Sequence, residues 1–475
     1  MRSEVLAVEK TIAERKAAVP LAQKFSWGIG GFAENLANNA LLSLAYPIFG
    51  VGMGISPLYI GLALSVSRIL DAITDPLMGH ITDTTRSRWG RRRPWIFIGS
   101  ILMSIVFASI WFTPRMESQF WPAFYLIFTC SMFYVAFTIW VVPYGGLGLE
   151  LAEDYAERTR LMAFRVAPSF IVGAAIGSLY KITLMENIWG GDEVIGARYV
   201  GSIVAMLMLS TGIIPALFSK ERYSKSKQQK INIWKSILET FKDKPFLLLI
   251  GSVFFVFVSL FFMIPLLTYI SLYYVAQGDK ELMASIGVYT AFVQATFQLL
   301  SMFAISYVAK FLDKKIVLIT GLMIGIFGYL SSWFLFTPAH PYLTILPPVI
   351  INIGLCACWV LNGSFNADIC DHDECKTGRR REGTYSAVFG FMNKLAIALV
   401  STVSSWVLVR LGFEGENLSP TVDQLFTLRW FYIVVPVVAM IGAILCMWRY
   451  PLTRERIYEI QDQLRQRRGE SSLQG

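Results

Sequence analysis

The stretch LDAITDPLMGHITDTTRSRWGRRRPW, residues 70–95, places two carboxylates inside an apolar run and then a cluster of arginines. Asp71 and Asp75 are four residues apart, so they share one face of a helix. Ionisable groups inside a membrane-spanning helix are costly and require a partner or a cavity. Short arginine-rich loops stay on the cytoplasmic side of a membrane. The stretch therefore predicts a transmembrane helix with an internal acidic pair, followed by a tight cytoplasmic loop.

The composition of the whole chain is typical of a protein that crosses a membrane many times. Of its 475 residues, 55% are hydrophobic and 16% are charged, whereas about a quarter are charged in soluble domains. Apolar segments that can span a ~30 Å hydrocarbon core recur along the chain, and such segments must be helices because backbone groups find no water there. We predict an all-α membrane protein with twelve transmembrane helices, at 25–50, 57–82, 95–113, 121–149, 161–184, 199–219, 246–276, 284–309, 316–337, 342–366, 384–411 and 425–449.

The distribution of positive charge predicts the topology. Most lysines and arginines lie in alternate loops, and the intervening loops contain only Arg115, Arg198 and Lys280. Because positive loops stay inside, both termini are expected in the cytoplasm. The same distribution explains the net charge of +9 without a nucleic-acid partner. The expected segments are a cytoplasmic N-terminal segment 1–24, a six-helix bundle 25–219, a cytoplasmic loop 220–245, a second six-helix bundle 246–450 and a cytoplasmic tail 451–475.

The two predicted bundles resemble each other weakly. GLELAEDYAERTRLMAFR follows span four and FNADICDHDECKTGRRREGTYSAVFG follows span ten, each with acids, a threonine near a basic residue and then a helix. Such repeats are typical of transporters in which two pseudo-symmetric halves rock around a site near the bilayer midplane. Within the loop between the bundles, residues 231–242 are expected to form an amphipathic helix.

The acidic pair can be balanced in three ways. Two close carboxylates do not both stay ionised without positive charge nearby, and Arg68 and the lone Lys394 of span eleven are candidates. A bound Na+ is a second possibility, because hard cations prefer several oxygen ligands and Asp71, Asp75 and Thr74 supply them. A proton is the third, since burial favours the neutral carboxyl. The alternative without a transport role is a packing ion pair, Asp71–Arg68 or Asp75–Lys394.

Further polar residues inside the spans indicate a cavity for a hydroxyl-rich ligand. A sugar needs amides and charges for its hydroxyl groups and an aromatic face for its ring. The alternative is hydrogen bonding between helices, and Tyr273 and Tyr274 near a helix end are typical interfacial aromatics. The candidates in the spans are Glu34, Asn35, Asn38, Asn39, Arg165, Gln294, Gln298, Trp359, Asn362 and Asn366.

The basic loop also suggests a cytoplasmic gate. Arginines there can pair with acids at neighbouring helix ends, and such pairs can hold one conformation closed. The alternative is that they act as topology determinants alone, which explains their charge but not the spacing of Gly79, Asp83 and Gly90. The predicted gate residues are Asp83, Arg91, Arg92, Asp368, Asp371 and Arg380.

The sequence contains no pattern that favours an enzyme. We find no nucleophile–base pair and no phosphate loop, and the three histidines form no cluster. The six cysteines lie mostly in apolar segments without zinc-site spacing, which is typical of small buried hydrophobic residues. We therefore expect no catalytic residue and no cofactor other than a coupling ion.

Two long motifs resemble those of a known family. SRILDAITDPLMGHITDTTRSRWGRRRPW and NADICDHDECKTGRRREGTYSAVFGFMNK are similar to the signatures of the glycoside–pentoside–hexuronide:cation symporters, the melibiose permease-like family of the major facilitator superfamily. The resemblance covers essentially the whole chain. It implies a major facilitator fold of two six-helix halves and coupled uptake of a sugar with Na+, Li+ or H+.

The resemblance also implies roles for single residues. Asp71, Asp75 and Thr138 match the family's cation site, and Lys394 matches its coupling lysine, while Arg68 matches the arginine before the first aspartate. At the cation site Thr74 replaces an asparagine and keeps an oxygen.

The match to the family's sugar site is less complete. Trp359 matches an aromatic residue near the sugar. At two positions where the melibiose permease has sugar-binding aspartates, this chain has Asn35 and Val141. Glu34 or Arg165 is expected to compensate, and Asn39 and Asn362 are further expected substrate contacts.

These features together predict a cation-coupled symporter that imports a sugar. Its expected partners are the sugar, a monovalent cation and the lipid bilayer of the plasma or inner membrane, and we expect a functional monomer. Arg165 and Lys394 suit an acidic sugar such as a hexuronide. The alternatives are a transporter of a non-sugar amphiphile such as a lysolipid, and a membrane sensor that binds a sugar without transporting it.

Overall fold

A computed structural model describes residues 19–152, 155–221, 243–378, 381–415 and 418–467. Within these ranges the regular structure is helical and there is no β-strand, so the predicted all-α class is confirmed there. The amphipathic helix predicted at 231–242, most of the N-terminal segment 1–24 and Arg380 lie outside the described residues.

Ten of the described helices are long and apolar enough to cross a membrane. The other two predicted spans, 25–50 and 161–184, are also helical, but each is interrupted. A break at Ile29 and a π-helical end divide the first, and a break at Gly177 divides the second. Both contain charged side chains, Glu34 and Arg165, which lower their hydropathy. The number of twelve membrane crossings and the location of the termini therefore stay predictions.

The described residues divide into two compact units: unit 1 contains those within 19–221 together with Gly415, and unit 2 contains those within 243–414 and 418–467. The α-helices of unit 1 are α1 Leu21–Gly28, α2 Gly30–Leu44, α3 Pro57–Thr84, α4 Arg93–Ile110, α5 Phe120–Leu151, α6 Tyr155–Ile176, α7 Ser178–Thr183, α8 Glu186–Trp189 and α9 Glu193–Phe218. A π-helix, Ala45–Gly52, continues α2.

The α-helices of unit 2 are α10 Lys244–Tyr269, α11 Lys280–Val308, α12 Lys314–Leu335, α13 Leu346–Thr377, α14 Glu382–Arg410, α15 Val422–Trp448 and α16 Arg454–Arg467. A π-helix, Ile270–Val275, continues α10, and a 3₁₀-helix, Pro341–Ile345, precedes α13. The tail helix α16 packs on α13 through Ile457, Ile460 and Leu464, which are buried at helical spacing.

In unit 1, helix α5 packs along both α3 and α4. It is fixed to α1 by two reciprocal hydrogen bonds: the Trp27 Nε1–H donates to Tyr144 O (3.1 Å) and the Tyr144 hydroxyl donates to Trp27 O (2.9 Å). The ring of Trp140 stacks on the other side of Tyr144, with centroids 4.5 Å apart. This aromatic stack fixes the position of α5, and α5 carries Thr138 toward α3.

In unit 2, helices α12 and α13 cross at glycines. A Cβ atom on Gly354 would overlap the backbone of Gly321 and Gly325 in the facing helix. Close helix crossings at small residues are common in membranes, because backbones gain van der Waals contact when no side chain separates them.

Replacing Gly354 by Ala is expected to lower the stability of the protein. The new methyl group must displace backbone rather than a flexible side chain, and such overpacking costs about 1–3 kcal/mol. Gly363→Ala on the same helix is the matched control, because a Cβ there meets nothing within 4 Å. The melting temperature of purified protein in detergent should fall for the first variant only, and equal values for the two would contradict the close crossing.

Candidate cation and substrate sites

The two aspartates of span two lie on α3 where α5 packs against it. Asp71 is buried, with 1% of its surface exposed, and Asp75 is half-buried. The Thr138 hydroxyl donates to Asp71 Oδ1 at 2.7 Å and also lies 3.4 Å from Asp75 Oδ1. Because one hydroxyl contacts both carboxylates, their oxygens converge on a single point between the two helices.

Thr74 completes this group of oxygens. Its Oγ1 lies 3.2 Å from Thr138 Oγ1 and donates to the carbonyl of Leu70 at 2.9 Å. The structure therefore brings together all four residues predicted to bind the cation. Carboxylate and hydroxyl oxygens are the ligands that hard cations prefer.

Arg68 lies beside one of the two carboxylates. Its Nη1 is 3.6 Å from Asp71 Oδ2, and its guanidinium stacks on the ring of Tyr134 at 4.3 Å. The alternative ion pair, Asp71–Arg68, is thus present.

A second polar cluster of unit 1 joins α2 to α6. Arg165 donates from Nε to Glu34 Oε2 (2.8 Å) and from Nη2 to Glu34 Oε1 (2.5 Å), a bidentate pair. The guanidinium also lies 5.5 Å from the ring centre of Tyr144 and 5.9 Å from that of Trp27. Bidentate pairs of this kind are among the strongest hydrogen bonds in proteins.

The amides of α2 bond to their own helix. The Nδ2 groups of Asn35, Asn38 and Asn39 donate to the carbonyls four residues earlier, at 2.8–2.9 Å. Each amide has a second N–H and an oxygen in addition to this bond. These contacts orient the amides, and their predicted role as substrate contacts stays a prediction.

In unit 2, the predicted substrate residues follow one stripe of α13. Trp359 is half exposed and meets Phe257 edge to face, with ring centres 5.6 Å apart. Asn362 and Asn366 continue the stripe one and two turns later. The Oδ1 atoms of both amides are buried and have no hydrogen-bond partner among the described residues. Such oxygens are suited to accept from the hydroxyl groups of a ligand.

Lys394, the predicted coupling residue, lies on α14 in unit 2 and is half-buried.

The hydroxyl of Tyr274, a predicted interfacial residue, accepts a hydrogen bond from Arg429 at 2.7 Å. Sequence reasoning gave no role to that arginine.

Three predicted gate residues cluster at the basic loop of unit 1. Arg92 Nη2 lies 3.0 Å from Glu150 Oε1 and 3.6 Å from Asp83 Oδ1, and Arg91 also pairs with Glu150. Burial alone would lower the pKa of Arg91, but the hydrogen bond and charge of Glu150 outweigh it and raise that pKa. These pairs tie the ends of α3, α4 and α5 together.

The carboxylate of Glu221 lies on the other side of this loop. It accepts from the backbone N–H groups of Arg91 (2.7 Å) and Arg92 (2.6 Å). Gly90 has a φ of +104°, a conformation that glycine adopts without strain, and this explains the glycine in the loop. The acids Glu150 and Glu221 were not among the predicted gate residues, since both are distant in sequence.

The gate residues predicted in unit 2 also pair within their unit. Lys314 at the start of α12 donates to both oxygens of Asp368 near the end of α13, at 2.7 and 2.9 Å. Asp371 accepts from Gln461 of the tail helix at 3.4 Å. Each unit thus pairs a basic residue at the start of one helix with an acid near the end of the next long helix, as the predicted internal repeat implies.

The fold and these sites define an integral membrane transporter of the major facilitator type. The family model described as MFS/sugar transport protein matches residues 26–454, and the chain belongs to this family. Its relatives and structural neighbours are transporters rather than enzymes.

Individual relatives cover nearly the whole chain. The "Putative glycoside/cation symporter YagG" of Escherichia coli is 26% identical over 94% of this chain and 95% of its own length. The "Sodium-dependent lysophosphatidylcholine symporter 1" of Mus musculus is 24% identical over 97% and 91%. The crystal structure of a D-xylose-proton symporter matches with a TM-score of 0.60 at 13% identity, over 91% of this chain and 97% of that one, which shows the shared fold.

Proposed function

We propose that this protein is a cation-coupled symporter that imports a sugar across the plasma membrane. The main support is one contact in unit 1: the Thr138 hydroxyl lies within hydrogen-bond distance of the carboxylates of both Asp71 and Asp75. Arg68 supplies one positive charge beside Asp71, and a bound Na+ or proton adds positive charge where the two carboxylates converge. The name of the Escherichia coli relative supports a glycoside as the substrate.

Each unit contains its own set of candidate substrate residues. In unit 1, Arg165 and Glu34 offer charged donors and acceptors beside the rings of Trp27 and Tyr144. In unit 2, Trp359 offers an exposed aromatic face, one turn before a buried amide oxygen of Asn362. An aromatic plate with neighbouring polar groups suits a sugar, which has an apolar ring face and hydroxyl groups.

The thermal stability of the purified protein tests the proposal directly. Melting temperatures are compared for neutral and acidic sugars, each in NaCl and in choline chloride and at several pH values. A ligand that binds the native state raises its stability by mass action, and linkage requires that cation and substrate affect each other's affinity equally. A sugar that stabilises more in Na+ than in choline supports sodium symport, and a sugar effect that depends on pH alone supports proton symport.

A lysophospholipid is the second candidate substrate, and the name of the mouse relative favours it. The same panel therefore includes lysophosphatidylcholine below its micellar concentration. If it stabilises the protein in a cation-dependent manner and no sugar does so, the substrate is an amphiphile.

Lys394 is proposed to couple the cation to the substrate. In Lys394→Ala, the cation alone and the substrate alone should each still raise the melting temperature. The size of one ligand's effect should no longer depend on whether the other ligand is present. A variant that keeps the full mutual dependence would show that the coupling runs through other residues.

A further inference from the structure

Lys314 marks one end of unit 2, and Arg429 lies close to the other end. It is the eighth residue of α15, about 10 Å along the helix from its start. Trp333, which it contacts, lies two residues before the end of α12 at Leu335, whereas Lys314 begins that helix. The positive-inside rule places Lys314 in the cytoplasm, so Arg429 lies near the outer surface of the membrane.

The guanidinium of Arg429 is held between two aromatic residues. Its Cζ is 4.2 Å from the ring centre of Tyr274 and 4.7 Å from that of Trp333. Nη1 donates to the Tyr274 hydroxyl (2.7 Å) and Nη2 donates to the carbonyl of Trp333 (2.5 Å). The plane and position of the guanidinium are therefore fixed before any ligand arrives.

The charge of Arg429 has no acidic partner among the residues that the structure describes. Arg165, the other arginine deep in a helix that stacks on two rings, pairs with Glu34, but both protein acceptors of Arg429 are neutral. Its Nε is buried and has no hydrogen-bond partner in the described part of the chain. A charged group in a membrane helix requires a counter-charge or water, and an anion from outside the protein meets this requirement.

The surroundings identify the source of that anion. Phe426, one turn before Arg429, and Trp430, the residue after it, are 54% and 46% exposed, and Phe334 next to Trp333 is 79% exposed. Exposed aromatic residues at a helix end are typical of the level of lipid headgroups. Acyl chains fit against these rings, and a phosphate at that level fits the planar donors of an arginine.

We propose that Arg429 binds the phosphate group of an outer-leaflet phospholipid, which stays bound to unit 2 and is not transported. The site uses neither the α13 stripe nor the acidic pair of α3, so it is independent of the proposed transport function. Tyr274 and Trp333 act as positioning residues that hold the guanidinium toward the lipid.

Native mass spectrometry of the purified protein tests this proposal. Phosphatidylglycerol is titrated against the wild type, Arg429→Gln and Arg410→Gln. Arg410 is the matched control, because it ends α14 at the same end of the unit and stacks on Trp406 at 5.2 Å, but is exposed. We expect one tightly held lipid on the wild type and on Arg410→Gln, and at least a fivefold weaker affinity for it on Arg429→Gln.

Two competition experiments with the wild type identify the recognised group without any variant. Diacylglycerol with the same acyl chains should fail to displace the lipid, because it has no phosphate. Inorganic phosphate at millimolar concentration should also fail, because it lacks the chains that contact the aromatic residues. Displacement by diacylglycerol, displacement by free phosphate, or equal binding to the folded Arg429→Gln variant would each overturn the proposal.

Discussion

Replacing Asp71 by Asn is expected to abolish the stabilisation of the protein by its coupling cation. Asp71 is buried, and its two oxygens face the Thr138 hydroxyl (2.7 Å) and the Arg68 guanidinium (3.6 Å). The substitution removes one of the two carboxylate charges that attract a cation. A charge-assisted contact of about 3 kcal/mol corresponds to roughly 100-fold in affinity, and titration of the melting temperature with NaCl against choline chloride measures it.

Asp71→Asn also breaks the buried ion pair with Arg68, and such a loss destabilises a protein by about 3–5 kcal/mol. A second variant is therefore needed to distinguish loss of cation binding from loss of the fold. Thr138→Val removes the shared hydroxyl with little change in shape, and we expect about tenfold weaker cation affinity. Thr129→Val is its control, since Thr129 lies on the same helix and, among the described residues, its hydroxyl donates only within that helix, to the carbonyls of Tyr125 and Leu126. If both threonine variants keep the wild-type cation response, the hydroxyl between the carboxylates is not a ligand.

The sequence was sufficient for those features that depend on local chemistry. Apolar length predicted helices because a bilayer permits little else, and the spacing of Asp71 and Asp75 predicted their shared face. The helix is interrupted at Ile29 in the first predicted span and at Gly177 in the fifth. Apolar length alone does not locate an interruption inside a span, so the sequence predicted continuous helices at both places.

Pairs of residues that are distant in the chain could not be predicted from the sequence. Glu34 and Arg165 were predicted as separate substrate residues, yet they form one bidentate pair across 131 positions. Arg429 is a charged residue inside the predicted span 425–449, which is a signal, but the sequence did not reveal its distant neutral partners Tyr274 and Trp333. Charge alone does not reveal which acid meets which base, since that depends on the packing of helices. The family resemblance supplied Thr138, and the structure then located it between the two carboxylates.

Breaking the Glu34–Arg165 pair is expected to have the second largest effect on transport. Arg165→Gln leaves the Glu34 carboxylate without its bidentate donor, and Glu34→Gln leaves the guanidinium without its acceptor. Both side chains are partly buried, with 26% and 19% exposed, so each single variant should lose about 1–3 kcal/mol of stability. Uptake of a glucuronide and of a neutral glycoside into proteoliposomes, together with the melting temperature, measures both consequences.

The double variant Glu34→Gln/Arg165→Gln distinguishes a packing pair from a substrate site. Residues in direct contact couple by about 0.5–3 kcal/mol, so the double variant should regain most of the stability lost in the single variants. If Arg165 contacts an acidic sugar, glucuronide uptake should stay at least tenfold reduced in the double variant despite its restored stability. Arg115→Gln is the control, because Arg115 forms another bidentate pair in unit 1, with Asp192, outside the predicted spans. Uptake that recovers together with stability would assign the pair to packing alone, and the substrate would then be held by other residues.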